Sequence, residues 1–208
     1  MELRLEASYL RFGKRAEPGT EAAIIDRCRR QDAEAFDLFV DMFENRVFGF
    51  VRRMTSGVEE AQDVTQEVFI RAFQNMHRFD GRSSAKTWLF RIAYNLCVDR
   101  SRRADRGLNE VGMQAGPDGE DIIEVPDDRW EPERLTLEGE LADVLERAIS
   151  NMSPKLKSVL LLHDREDASY EEIAETLNVP VGTVKSRLFL ARNYLQGALK
   201  GYLRGESR

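Results

Sequence analysis

Apolar residues recur at steps of three and four along most of this chain, the spacing that gives a helix one buried stripe. In the longest such stretch Phe36, Phe39, Val40, Phe43, Val47, Phe50, Val51 and Met54 share a face, and Asp32 stands where an N-cap is needed. A shorter stretch over residues 21–28, with Ala22, Ile24, Ile25 and Cys28, follows the Pro18-Gly19 break. Ser56-Gly57 ends the long helix, and another begins near Glu59. It turns Ala61, Val64, Val68, Ala72 and Met76 inward and leaves Asp63, Gln66, Glu67, Arg71 and Gln74 outward. The period lapses over the turn-rich residues 77–84 and resumes over 85–103, with Trp88, Leu89, Ile92, Ala93 and Leu96 on one side.

Between residues 104 and 133 the pattern dissolves into Gly, Pro and acidic positions, a linker composition too long for a connection inside one compact domain. Periodicity then returns with Leu137, Leu141, Val144, Leu145, Ala148, Ile149 and Met152. Ser153-Pro154 reads as an N-cap followed by proline at the first helical position, with Leu156, Val159, Leu160 and His163 continuing the stripe. Ser169-Tyr170-Glu171-Glu172 fits a capping box, which fixes a helix start. That helix buries Ile173, Ala174 and Leu177 and ends over 178–182. Thr183 is expected to cap a last helix, with Val184, Leu188, Ala191, Leu195, Ala198 and Tyr202 inward. The expected fold is all-α: two small helical domains, 20–103 and 134–204, joined by an acidic linker over 104–133, with an extension over 1–19 and a tail over 205–208.

Composition narrows the function classes. At 42% hydrophobic and 33% charged, the 208-residue chain is too apolar for wholesale disorder and too polar for membrane residence. It carries no run of about 20 apolar residues and no basic-then-apolar leader, so a cytoplasmic location is expected. Cys28 and Cys97 lack Cys or His neighbours at metal-ligand spacing and read as buried thiols. His77 and His163 are isolated, and no nucleophile, zinc-protease, Walker or dinucleotide motif accompanies them. An enzyme, a metal site and a cofactor are therefore not expected.

The net charge of −6 conceals strong segregation. Residues 77–103 hold seven basic against two acidic groups, and 182–208 six against one, whereas 104–146 hold fourteen acidic against three basic. Two basic surfaces separated by an acidic segment suit two contacts with a polyanion.

A short helix, a tight turn and a longer helix bearing Thr183, Lys185, Ser186, Arg187, Phe189 and Arg192 have the layout of a helix-turn-helix. Lys and Ser at the start of the second helix are able to donate to base edges and phosphates, and Phe189 suits thymine methyls. The run Pro180-Val181-Gly182-Thr183-Val184-Lys185-Ser186-Arg187-Leu188, behind Tyr170-Glu171-Glu172-Ile173-Ala174, closely resembles region 4 of extracytoplasmic-function sigma factors. The first module resembles region 2 independently. It does so through Asp63-Val64-Thr65-Gln66-Glu67-Val68-Phe69, Phe79-Asp80-Gly81-Arg82-Ser83 and Thr87-Trp88-Leu89-Phe90-Arg91-Ile92-Ala93-Tyr94-Asn95. Leu190 and Asp80 depart from the family pattern, which favours basic residues there.

The resemblance implies a subunit that brings core RNA polymerase to promoters. Asp63, Gln66, Glu67 and Gln74 would dock on the β′ clamp helices, and the β flap is a further expected partner. The loop over 79–85, through Phe79, Gly81, Arg82, Ser83 and Ser84, would capture a flipped base of the −10 element, whose unstacking cost pocket contacts must recover. Lys86, Arg91, Asn95, Arg100, Arg102 and Arg103 would follow phosphates there. Thr183, Lys185, Ser186, Arg187, Phe189 and Arg192 would read the −35 duplex. By its helical spacing, Trp88 reads as core rather than a base-stacking group. The acidic linker would lie in the polymerase interior, and an anti-sigma factor released in a stress response would control the whole. The rival reading is a helix-turn-helix regulator acting on duplex operators without polymerase. It shares the Thr-Val-Lys start of the recognition helix and leaves the region 2 resemblance unexplained.

Overall fold

A computed structural model describes residues 20–109 and 137–203. The extension over 1–19, the linker beyond residue 109 and the tail over 205–208 lie outside the described residues. Among those described, the regular elements are eight α-helices and one 3-10 turn, Met76–Arg78. In the first module they are α1 (Glu21–Arg29), α2 (Ala33–Met54), α3 (Val58–Asn75) and α4 (Ala85–Asn109). In the second they are α5 (Leu137–Ser150), α6 (Pro154–Asp164), α7 (Tyr170–Leu177) and α8 (Val181–Leu203).

Local chemistry sets the helix starts. The Asp32 carboxylate accepts from the Ala35 amide at 3.1 Å, as its N-cap position requires, and also takes Arg27 Nε at 2.8 Å, which pins the end of α1 to the start of α2. Held by that guanidinium, the Asp32 carboxyl lies below its ordinary range. Ser169 and Glu172 close the expected capping box: Glu172 N–H donates to the Ser169 hydroxyl at 3.2 Å and Ser169 N–H to the Glu172 carboxylate at 2.8 Å. Asn178 ends α7 in the left-handed conformation, φ 53°, which Asn tolerates better than most residues.

Three expectations need correction. Thr183 does not cap α8, because the Pro180 carbonyl already accepts from the Thr183 and Val184 amides and the helix starts at Val181. Ser153 occupies the N-cap position of α6, yet its hydroxyl makes no cap bond; proline at the first position removes one orphan donor and the Ser153 carbonyl accepts from Leu156 and Lys157. The helix expected over 85–103 continues to Asn109, into the segment read as linker.

α2 carries the first core. Phe39, Phe43, Val47, Phe50 and Val51 are buried against Val64 and Val68 of α3 and Leu89 and Phe90 of α4. The Phe50 and Phe90 rings meet edge-on at 5.4 Å, a favoured arrangement of their quadrupoles. In the second module α6 lies between α7 and α8, and Val184, Leu188 and Ala191 of α8 are buried while Leu195 and Ala198 are half-buried. Leu141, expected inward, is instead 40% exposed. Cys28 and Cys97 are buried thiols; burial raises them to about 11 and about 12, far from thiolate character at neutral pH.

The two modules pack together. α6 buries the consecutive residues Val159, Leu160, Leu161 and Leu162, which one stripe cannot accommodate. Its second face is covered by α2 of the first module, and α4 packs on α7, so the buried apolar residues, Val144 and Ala148 of α5 apart, form one contiguous cluster.

The capping box gives a direct test. Glu172 is held below its ordinary value, chiefly by the Ser169 amide, so its stabilisation is complete above that ordinary value and is lost as pH falls through the lower folded one. Ser169→Ala is expected to cost about 1 kcal/mol, a fall in Tm of about 2–4 °C for a chain of this size. Glu172→Gln is expected to flatten the acid limb of the stability profile, measured by thermal unfolding between pH 3 and pH 7.

Candidate functional site

Three surfaces hold the residues singled out from the sequence. On α3, Asp63, Gln66 and Gln74 are exposed, and Glu67 is partly covered by an ion pair with Arg71 one turn on, at 2.7 Å. Gln66 and Gln74 border a groove of about 690 Å³ between α2 and α3, floored by Phe36, Val40, Phe48 and Phe69 and edged by Ile70 and Phe73. Ile70 and Phe73 are exposed apolar side chains that the sequence reading missed. Their signal was available: residues 68–73 hold more apolar positions than one inward stripe takes. Thr65 Oγ1 is buried at this groove with no hydrogen-bond partner, a polar atom that natural structures rarely leave unmatched. The groove has an apolar floor with the amides of Asn45, Gln62, Gln66 and Gln74 and the Glu44 carboxylate around it.

The second surface is the loop over 79–84 and the start of α4. Gly81 adopts φ 73°, a backbone region that favours glycine, and the Asp80 carboxylate accepts from the Arg82 amide at 3.1 Å and pairs with Arg82 Nε at 2.7 Å. This Asx-type contact accounts for Asp80 preceding Gly81. Ser84 Oγ accepts from the Thr87 amide at 3.0 Å and starts α4. Gly81, Arg82 and Ser84 are exposed and Ser83 is half-buried. Phe79 departs from the expected surface loop: it is 6% exposed, with its ring 5.3 Å from Trp88. Its preceding 3-10 turn directs the side chain into the core, and Trp88, half-buried there, is a packing residue as its spacing implied. Asn95, Arg102 and Arg103 are exposed on α4, and Arg100 is half-buried.

α8 provides the third surface. Val184, Leu188 and Ala191 anchor it, so Lys185, Ser186 and Phe189 face outward, Phe189 being 65% exposed. Lys185 Nζ lies 5.6 Å from the centre of the Tyr170 ring, a cation–π contact across the helix-turn-helix. The Ser186 hydroxyl donates to the Thr183 carbonyl at 3.0 Å, leaving its lone pairs outward. Arg192 pairs with Asp164 at 2.8 Å, and Arg187 and Thr183 are half-buried. Leu190 and Tyr194 add exposed apolar area beside Phe189.

A set of charged residues outside the sequence reading joins the first module to the second. Arg46 of α2 places Nε at 2.8 Å and Nη2 at 2.7 Å from Glu166 Oε2. Glu166 is buried, and desolvation raises its carboxyl above the ordinary value against the opposing pull of Arg46 and Lys86. Lys86 Nζ donates to the Glu166 carbonyl at 2.9 Å, and Arg91 Nη2 to Glu175 at 2.9 Å. Arg53 binds Glu146 through two nitrogens, at 2.8 and 3.2 Å, and Arg165 adds a third contact at 3.2 Å. No local period marks these positions, since each partner lies tens of residues away. Among the described residues there is no group of His, Cys, Asp and Glu fit to hold a metal, and no helix long and apolar enough to cross a membrane.

Comparison with known proteins fits this geometry. The family profile for Sigma-70 region 2 matches residues 39–107, and that for Sigma-70 region 4 matches residues 142–195. The RNA polymerase sigma-H factor of Pseudomonas aeruginosa is 36% identical over 87% of this chain and 94% of its own. The ECF RNA polymerase sigma-E factor of Haemophilus influenzae is 34% identical over 89% of this chain and 98% of its own. This chain is an extracytoplasmic-function sigma factor of the sigma-70 family. Its fold is similar to that of the sigma factor RpoE of Bartonella quintana, solved with the anti-sigma factor NepR: TM-score 0.62, 25% identity, covering 79% of this chain and 96% of that one. CnrH, solved with the cytosolic domain of CnrY, shares the fold at TM-score 0.61 and 22% identity over 86% of this chain and 96% of its own.

In the sigma factor, then, the region 2 match runs from within α2 into α4, and the region 4 match from within α5 into α8. Phe79 separates core from surface in the loop between α3 and α4. Phe79→Ala is expected to cost about 3–5 kcal/mol of stability, while Ser83→Ala changes it by less than about 0.5 kcal/mol. Chemical denaturation of both variants checks this; an unchanged midpoint for Phe79→Ala would place that ring outside the core.

Proposed function

We propose that this sigma factor binds core RNA polymerase through the outward face of α3, engages the −10 element with the loop over 79–85 and α4, and reads the −35 duplex with α8. Region 2 corresponds to residues 20–103, the acidic linker to 104–133 and region 4 to 134–204. The observation that carries this reading is the groove between α2 and α3, which combines exposed Ile70 and Phe73, the amides of Gln66 and Gln74 and the unmatched Thr65 hydroxyl. A duplex-operator regulator has no use for such a face on its other module. A helical partner rich in arginine fits it: apolar residues fill the floor, guanidinium groups meet Asp63 and Glu67, and a donor or acceptor satisfies Thr65. The clamp helices of the largest polymerase subunit are the partner in question, with the β flap receiving region 4.

At the −10 element, the open loop around Gly81, with Arg82, Ser83 and Ser84, would take the extruded base, and Lys86, Arg91, Asn95, Arg100, Arg102 and Arg103 the adjoining backbone. At the −35 element, Lys185 would donate to base edges or phosphates, Ser186 would accept from a base amine through its outward lone pairs, and Phe189 would pack on thymine methyls. Arg187, Thr183 and Arg192 would lie along the same groove wall, Arg192 after leaving Asp164. The sigma factor supplies recognition and strand opening in the cytoplasm, and polymerase performs the phosphoryl transfer. An anti-sigma factor covering the α3 groove would withhold the protein until a stress signal removes it, as the complexes of its structural relatives suggest.

Abortive transcription on a promoter-fragment library is expected to start only when this protein joins core polymerase. Gln66→Ala/Glu67→Ala is expected to lower initiation by about tenfold or more, the effect of losing roughly 1.4 kcal/mol at a docking face. Specific duplex binding by the protein alone, with no initiation on any fragment, would instead identify an operator-binding regulator.

A further inference from the structure

We infer that Leu190 is a specificity-determining residue of α8, and that together with Ser186 and Phe189 it makes the centre of that helix select A·T over G·C base pairs. This rests on the reading of α8 as the −35 helix and adds the class of base pair it accepts. Val184, Leu188 and Ala191 anchor α8 in the core. At about 100° of rotation per residue, the directions opposite that stripe belong to Ser186, Phe189, Leu190 and Asn193, all of them exposed. Leu190 is 53% exposed, an open position for a branched apolar side chain. The cations lie to either side of this strip, Lys185 and Arg192 on one flank and Arg187 on the other, and α8 carries no acidic residue. Lys185 is drawn over the Tyr170 ring at 5.6 Å and Arg192 to Asp164 at 2.8 Å, so neither crosses the strip. A helix with charged rims and an uncharged centre is suited to hold phosphates at its edges and meet base edges along its middle.

The chemistry of that centre decides which bases it accepts. Guanine presents only the acceptors N7 and O6 in the major groove, and a donor is needed to reward it. The strip offers none at its middle. Ser186 commits its hydroxyl proton to the Thr183 carbonyl at 3.0 Å and turns lone pairs outward, and Leu190 and Phe189 have no polar hydrogen. Lone pairs suit the amine of adenine or cytosine, and an apolar side chain suits the C5-methyl of thymine, which cytosine lacks. Only the A·T pair supplies both an amine and a methyl. Leu190 follows Ser186 by one turn on the same face, so the two bear on the same or neighbouring base pairs. Asn193 continues the strip with a side-chain amide of the kind that pairs with adenine N6 and N7. An arginine at position 190 would reverse the preference, since its planar fork matches guanine O6 and N7.

Holoenzyme assembled from core polymerase and the full-length protein is incubated with duplex fragments carrying random sequence over the −35 and −10 regions, and the bound fragments are sequenced. The wild-type pool is expected to be enriched in A·T at adjacent positions of the −35 region, and Leu190→Arg to replace at least one of them by G·C. In the best wild-type duplex, each enriched thymine is then replaced by deoxyuridine, which removes the methyl and leaves base pairing unchanged. Loss of a contacted methyl is expected to weaken wild-type binding by about fourfold, and at one position that loss is expected to vanish in Leu190→Ala. Leu190 is exposed, so both variants leave the core of the second module intact. Enrichment of G·C by the wild type overturns the inference, as does an identical response of wild type and Leu190→Ala to every deoxyuridine. Lys185→Glu reports the reading beneath separately. If it abolishes enrichment in the −35 region while the Leu190 variants behave as wild type, α8 reads the element and Leu190 does not specify it; if enrichment survives Lys185→Glu and Leu190→Arg alike, α8 is not the reader and both fall.

Discussion

The apolar stripe of α2 is the constraint on which both modules depend. Its 22 residues pack against α1, α3 and α4 on one side and against α5 and α6 on the other. Phe39, Val47 and Val51 are fully enclosed, and Phe50 lies where Arg46, Gly49 and Arg53 meet Leu161 and Glu166 of region 4. One helix therefore sets the region 2 core and the platform on which region 4 rests. Because α2 is committed on these faces, the groove it shares with α3 is its open side, and α4 is the side shared with α7.

The two kinds of contact made by α2 differ in strength. Inside region 2 it is aromatic and aliphatic, and area removed from water stabilises it at about 25 cal/mol per Å². Across the seam the apolar contact is edged by Arg46–Glu166, Arg53–Glu146 and Arg91–Glu175, with most of these side chains between a quarter and a half exposed. Pairs so placed contribute up to about 1 kcal/mol each, and Glu166 costs desolvation that Arg46 offsets only in part. A seam built in this way holds two preformed domains in register without welding them.

Most of this architecture was legible in the sequence where the determinants are local. The stripe of α2, the Asp32 cap, the Ser169–Glu172 box and the split into two helical modules each follow from neighbours within a few residues, and each is present. The Thr183 and Ser153 caps failed because proline and the preceding carbonyl already served those helix starts. Phe79 was misread because a loop's composition does not reveal the direction a 3-10 turn gives its last side chain. The seam was hidden for another reason: Arg46 and Glu166 are 120 residues apart, and charge alone does not announce a partner. One trace was present in the four consecutive apolar residues of α6, Val159 to Leu162, all buried, which a single-module helix would not need.

Charge ties the seam to the surfaces it separates. Region 2 and region 4 each carry a basic face, and two such faces repel unless acids intervene. Glu146, Glu166 and Glu175 supply those acids at the seam, each within hydrogen-bond reach of a region 2 arginine. Arg46, Arg53 and Arg91 are thereby paired within the chain, which lowers the repulsion between modules. A phosphate backbone presents closely spaced charges and releases counterions when bound, whereas the seam offers a few isolated carboxylates. Rising ionic strength weakens both, but DNA binding falls faster because more charge is neutralised in that contact.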